Sequence, residues 1–232
     1  LDTLPDTFSG VAIANELLDA LPVNIVAWRE DGLFERGVAL AGGGFAWQER
    51  PAEGALLAVS QALTFVSPPY VSEIALAARA WVAEWGRILQ RGALLLIDYG
   101  FPQREYYHPQ RAEGTLMCHY RHHAHGDPFW LPGLNDITAH VDFTAIAEGG
   151  HEAGLDVLGY ASQAQFLLNC GLAQLLEAHQ TDGAMAYAGL ASGVQKLISP
   201  AEMGELFKVL VLGRGIDVPL LGFAHGDRCH AL

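Results

Sequence analysis

The chain has 232 residues, 51% of them hydrophobic and 26 of them glycine, enough to bury one sizeable core as one domain with an inserted subregion. Its 26 acidic residues against 13 Lys and Arg give a formal net charge of −13, which argues against a nucleic-acid backbone or an anionic membrane as main partner and suits a cationic one better. Three widely spaced cysteines, Cys118, Cys170 and Cys229, argue against a disulfide framework and for a reducing compartment, most simply the cytoplasm, and no run of about 18 apolar residues supports a membrane span.

The sequence opens at Leu1, with no initiator Met and no leader-like segment, so either processing removed the start or the chain is part of a longer protein. Val11 to Ala14 is an uninterrupted apolar run, which predicts a parallel strand covered on both faces. Leu17 to Leu21 has helical character until Pro22 stops it. Asn15, Glu16 and Asp19 then crowd the carboxyl end of the strand, where open parallel sheets bind ligands. The plainer reading of the same residues is an N-cap and a solvated first turn.

Ile25 to Trp28 and Gly37 to Ala41 read as strands around the turn Glu30-Asp31-Gly32, and Gly42-Gly43-Gly44 turns the chain again toward Ala46 to Glu49. No Gly-Lys-Ser/Thr follows the glycine triplet, which argues against a phosphate loop. Val71 to Gln90 carries the i, i+3, i+4 stripe of an amphipathic helix. Ala93 to Ile97 is a second apolar strand, ending in Asp98-Tyr99-Gly100. A strand ending in an acid, repeated after a crossover helix, is the pattern of an α/β fold with a doubly wound parallel sheet.

Residues 101–135 have little periodicity and many His, Pro, Arg and aromatic residues, which predicts a long ordered loop over the ligand edge of the sheet. Asp136 to Phe143 leads into a helix near Thr144 to Glu152, followed by a strand at Leu155 to Tyr160 and a helix over Ser162 to Glu177 with Phe166, Leu167, Cys170, Leu175 and Leu176 mostly inward. Phe207 to Leu212 and Pro219 to Phe223 read as paired strands, so the sheet is mixed.

Three constellations carry possible chemistry. Cys118, His119, His122, His123 and His125 are metal-ligand types, but their spacing matches no zinc geometry and no metal site is assigned. Neither Ser9-Gly10 nor Ser192-Gly193 makes a nucleophile elbow, and Cys118 beside His119 reads as a buried structural thiol. In the extended segment from Asp136 to Phe143, Asp136, Thr138, His140 and Asp142 alternate onto one face. That face is either catalytic or a wet edge with Asp142 capping the next helix.

Several stretches together resemble one family. They are Asn15-Glu16-Leu17-Leu18-Asp19-Ala20-Leu21-Pro22-Val23, Leu95-Leu96-Ile97-Asp98-Tyr99-Gly100, Tyr107-His108-Pro109, Gly114-Thr115-Leu116, Asp136 through Phe143, Gln165-Phe166-Leu167-Leu168 and Met203 through Val209. In this order they resemble the MidA family, along nearly the whole chain. That resemblance implies a Rossmann-like methyltransferase fold with a mixed, mainly parallel sheet and an inserted hairpin and loop subregion. It also implies S-adenosylmethionine as cofactor and, from the mitochondrial members, protein arginine methylation in respiratory complex I assembly.

The family's glycine-rich loop and second-strand acid have no counterpart in residues 1–232, and the opening strand looks like the family's fourth. The resemblance therefore implies the carboxyl-terminal portion of one methyltransferase domain, with the amino-terminal cofactor-binding strands absent from this chain. By the same resemblance Asn15, Glu16, Asp19, His140 and Asp142 are the catalytic candidates, and Asn15 and Glu16 also meet the cofactor. Asp98, Tyr99, Gly100 and Asp136 shape the acceptor side. The implied partner is an arginine-bearing protein such as a complex I subunit, with a homodimer as the oligomer and the cytoplasm or the mitochondrial matrix as the location. Rival readings are small-molecule methylation on the same fold and a binding module without catalysis.

Overall fold

The computed structural model describes residues 5–179 and 183–232. Its main sheet has the order β1 (Phe8–Asn15), β6 (Leu89–Phe101), β12 (Phe207–Arg214), β11 (Asp156–Ser162), with the short β10 (Val141–Asp142) also pairing with β6. β1 and β10 run parallel to β6, whereas β12 is antiparallel to β6 and to β11. The sheet is thus mixed, but it is not mainly parallel as the sequence leads one to expect, because β12 runs against both of its neighbours. α2 (Leu76–Ile88) and α4 (Phe143–Glu152) belong to the layer on one face, where Val82, Leu94, Leu96, Phe143, Ile146 and Leu210 form the largest core cluster.

Between β1 and β6 the chain builds a second, antiparallel sheet in the order β4 (Gly44–Pro51), β3 (Gly32–Ala41), β2 (Asn24–Arg29), β5 (Tyr70–Ile74). Both predicted turns are present, and α1 (Gly54–Ala62) contributes Leu56 to a core with Val26, Trp28 and Tyr70. The stretch from Val71 to Gln90 is not one helix. Tyr70 to Ile74 pairs residue for residue with β2, from Trp28↔Tyr70 to Asn24↔Ile74, and only then does α2 begin. A β-rich start with a ready partner strand outweighs the helical stripe there.

β1 is a strand, but it is not covered on both faces. Val11 is 63% and Ile13 69% exposed, because among the described residues β1 pairs with β6 alone and nothing packs on its second face. That second face is covered only farther along the sheet, where Phe166 and Phe223 pack on Val209 and Val211.

Residues 101–135 are not one irregular loop either. They contain α3 (Gln103–Tyr106), β7 (Met117–Tyr120) and β8 (His123–His125), and β7 pairs on its other side with β9 (Asp136–Thr138). The predicted helix over Ser162 to Glu177 divides into α5 (Gln163–Asn169) and α6 (Leu172–Ala178) at Gly171, whose φ of +89° is left-handed. Cys170 and Leu175 are exposed, not inward. Pro219 to Phe223 is no strand: Leu221 to Phe223 form a 3-10 turn that lays Phe223 against Phe166, ring centres 5.3 Å apart. α7 (Ala184–Ile198) and α8 (Met203–Leu206) precede β12.

Candidate functional site

The carboxyl ends of β1 and β6 open onto a cleft of ≈ 650 Å³, whose walls include Glu16, Asp19, Tyr99, Asp136, Thr138 and His140. These residues come from the loop after β1, from β6, from β9 and from the link to β10. Arg121 and His122, the two-residue turn between β7 and β8, stand at the same cleft with His119.

The loop after β1 is held by a carboxylate, not wound as a helix. Asp98 Oδ2 accepts the backbone N–H groups of Leu17, Leu18 and Asp19 at 3.2, 2.9 and 3.3 Å, and its Oδ1 accepts from Tyr99 N–H at 2.9 Å. Three successive amides turned toward one oxygen make an anion-binding nest, which is why Leu17 to Leu21 forms turns and bends. Asp98 is 1% exposed, and burial, with Asp19 close by, pushes its pKa up to about 7 against the pull of its donors. It lies behind the cleft and shapes it through the backbone.

Glu16 N–H still donates to Ile97 carbonyl oxygen at 2.9 Å, continuing the ladder, and Glu16 then takes φ +48°. A glutamate in the left-handed region is strained, typically by about 1–3 kcal/mol, and such strain collects at functional sites. Asn15 Nδ2 donates to Glu16 Oε1 at 3.2 Å, so the amide steadies the carboxylate from outside the cleft wall.

Asp19 is 5% exposed and accepts a short 2.5 Å hydrogen bond on Oδ2 from Tyr99 hydroxyl. Its own carbonyl accepts from Ala139 N–H at 3.0 Å, which pins the loop to the segment carrying Thr138 and His140. Burial first, then the hydrogen bond to Asp19, hold Tyr99 far above its usual range, so it keeps its proton at neutral pH. The His140 ring stacks on Phe101 at 5.5 Å and meets Tyr99 edge-on at 5.2 Å. Burial, followed by Arg111 and Lys208, lowers its pKa to about 4, leaving a neutral imidazole. Asp19 Oδ1, Thr138 Oγ1 and His140 Nδ1 are buried without a partner, and all three residues line this one cleft. Buried polar atoms normally have partners, so three orphans together mark a place for a polar ligand.

Asp142 is not part of this group. Its side chain caps α4, accepting from Ala145 N–H at 3.2 Å, and it borders a separate hollow of ≈ 30 Å³ beside Tyr106 and Tyr107. Burial pushes its pKa up to about 7. The folded protein therefore holds a proton here between about pH 3.8 and 7 that the unfolded chain has released, and this contribution to stability is full below 3.8 and lost as pH rises through 7. Asn caps as well as Asp. Asp142→Asn is expected to be more stable than wild type at pH 8 by on the order of 2 kcal/mol, with the two converging near pH 4 in urea titrations. A gap that is the same at both pH values would contradict this.

Gly100 also stays out of the cleft. A Cβ on it would lie 2.1 Å from Val141 carbonyl oxygen, so its role is to let β10 approach β6.

One buried device has no periodic mark in the sequence. Glu73, on β5, accepts the N–H groups of Thr115 and Leu116 at 3.0 Å and the Thr115 hydroxyl at 2.9 Å. Thr115 Oγ1 in turn accepts His140 N–H at 3.0 Å. An acid inside the apolar strand Tyr70-Val71-Ser72-Glu73-Ile74 was the available signal. Among the described residues no group of three or more His, Cys, Asp or Glu is placed to hold a metal ion, and no helix is long and apolar enough to cross a membrane.

Residues 1–161 match the model of a family described as "Putative S-adenosyl-L-methionine-dependent methyltransferase". The chain is 54% identical to a COG1565 superfamily member from Burkholderia thailandensis solved with S-adenosyl-homocysteine bound, with a TM-score of 0.95 over 100% of this chain and 60% of that one. A second structure of such a protein from the same organism gives 54% identity and a TM-score of 0.96 over 100% of this chain and 62% of that one. Among curated proteins, it is 28% identical over 219 residues to the mitochondrial protein arginine methyltransferase NDUFAF7 of Danio rerio, covering 90% of this chain and 48% of that protein. The Bos taurus protein of that name is 33% identical over 128 residues, 53% of this chain and 26% of its own length. The chain spans about half the length, or less, of these curated relatives.

Proposed function

Because the chain belongs to this family of S-adenosyl-L-methionine-dependent methyltransferases, we propose that its acid-lined cleft is the acceptor side of a protein arginine N-methyltransferase. S-adenosylmethionine is the family's cofactor. The observation that carries the reading is the trio of unpartnered buried atoms, Asp19 Oδ1, Thr138 Oγ1 and His140 Nδ1, in a cleft with three carboxylates, Glu16, Asp19 and Asp136. A guanidinium offers N–H donors in a planar fork, which suits carboxylate acceptors.

The fit to the cofactor is partial. Asn15 and Glu16 offer an amide and a carboxylate at the end of β1, groups suited to the amino-acid end of S-adenosylmethionine, and no glycine turn leads from β1 into a helix among the described residues. We assign the rest of its cradle to polypeptide beyond this chain, with the open edge of β1 as the place where a further strand adds.

When bound, the cofactor supplies an electrophilic methyl group on its sulfonium. The chain's own residues do the remainder. Glu16 and Asp19 grip the guanidinium and fix which nitrogen faces the donor, with Asp19 oriented by Tyr99. Methylation adds positive charge to an already cationic group, which makes the N–H of the attacking nitrogen strongly acidic. An acceptor as weak as the neutral His140 Nδ1 can then take the proton, while the carboxylates offset the charge. The arginine-methyltransferase name of the curated relatives supports the same acceptor. From the MidA resemblance we also propose a respiratory complex I subunit as substrate and the mitochondrial matrix, or a bacterial cytoplasm, as location, and the word mitochondrial in the curated relatives' name supports the former location.

The test is to incubate the complete polypeptide carrying this chain with methyl-labelled cofactor and cell lysate, then hydrolyse the protein fraction. Label is expected in methylarginine. Label confined to small molecules would overturn the arginine reading alone, and no transfer at all would overturn both.

A further inference from the structure

A second cleft of ≈ 590 Å³ adjoins the first and shares Asp19 and Thr138 with it. One wall is the hairpin of β3 and β4, where Val38, Phe45 and Trp47 line the cleft and the cross-strand pairs Val38↔Trp47 and Leu40↔Phe45 put Leu40 on the same apolar face beyond it. They are conspicuously exposed: Val38 58%, Leu40 80%, Phe45 48% and Trp47 38%. The opposite wall brings Phe129 to 4.8 Å from Trp47 and 6.2 Å from Phe45, ring centre to ring centre. Away from Asp19, which stands at the junction of the two clefts, the charged groups of the groove are already paired, Glu35 with Arg50 and Arg36 with Glu49, so the rest of its surface is mainly apolar. A patch of this kind marks a binding surface.

We propose that this groove holds the polypeptide flanking the methylated residue, and that it selects acceptors carrying an aromatic or large aliphatic side chain near that residue. The inference rests on the acceptor reading above. Two features commit the groove to a peptide chain. It runs into the acid-lined cleft through Asp19 and Thr138, so a ligand reaching both must be elongated, and each cleft alone is large enough for a drug-sized molecule. The two differ in chemistry in a way that matches a peptide, with carboxylates for a cationic side chain in one and aromatic rings for its apolar neighbour in the other.

The probes are acetylated, amidated peptides with one arginine in a glycine background, and a set with one phenylalanine placed one to four residues to either side. Binding to the complete polypeptide is read by fluorescence anisotropy. At least one placement is expected to bind about tenfold tighter than the all-glycine peptide, with that gain lost in Trp47→Ala and the all-glycine affinity unchanged. Phe45→Ser serves the same purpose should Trp47→Ala not fold. The proposal is overturned if no placement improves binding, or if the gain survives in both variants. Replacing arginine by glutamine in the preferred peptide separates the two readings: if affinity is retained and still depends on Trp47, the groove stands and the arginine site falls.

Discussion

Asp19→Asn is expected to lower kcat/KM for methyl transfer by about 10²–10³-fold, on the scale of losing one fixed electrostatic group from a dry site. The substitution is isosteric, and Asn can still accept the Tyr99 hydroxyl through its remaining oxygen. What it removes is the charge, and it offers N–H donors where the cleft presents acceptors. A guanidinium would meet a like-natured donor instead of an acceptor. The melting temperature should move by only a few degrees, because the Ala139 N–H to Asp19 carbonyl bond is backbone to backbone. Turnover within threefold of wild type would sink the assignment of Asp19.

Glu73→Ala is expected to cost about 4 kcal/mol of folding stability. The carboxylate is 2% exposed and gathers Thr115 N–H, Thr115 hydroxyl, Leu116 N–H and, at 3.2 Å, the Tyr106 hydroxyl. Each buried donor left without an acceptor costs about 1–3 kcal/mol, and water entering the hole recovers only part of that. Glu73→Gln keeps one acceptor oxygen and should lie between alanine and wild type. Urea unfolding checks both, and a loss below about 1 kcal/mol for alanine would show that the network is not holding the fold. Activity should fall in both variants as well, because Thr115 carries the bond that sets His140 N–H.

Legibility in the sequence followed the range of the interactions. β6 and β12 are plain because long apolar runs, buried throughout in β12 and alternately buried and half-buried in β6, need no partner to be recognised. The β2–β3 hairpin and α4 were marked by turn residues and by the Asp142 cap, which are local signals. The apolar run of β1 marks it as a strand but not whether it is enclosed, since burial depends on what else packs and not on the run itself. The turn at Leu17 to Asp19 was hidden because the oxygen that organises it belongs to Asp98, 80 positions from Leu18.

The cleft was partly legible for the same reason. Asp136 and His140 do meet Glu16, Asp19 and Tyr99. Asp142 does not, because strict alternation holds only along one strand. β9 pairs with β7 and β10 with β6, and the chain bends between them, which takes Asp142 off the shared face. Glu73 and Thr115 lie 42 positions apart and had no periodic signature at all.

The open edge of β1 has a consequence for handling the chain. Among the described residues one row of its backbone amides and carbonyls has no strand beside it, and Val11 and Ile13 stand bare on the adjoining face. An edge with apolar side chains and no charge between Phe8 and Asn15 templates the addition of an extended segment, its own copies included. Concentrated solutions of this chain therefore face a kinetic competition between staying dispersed and growing by edge-to-edge pairing, and a covering strand resolves it by removing the template.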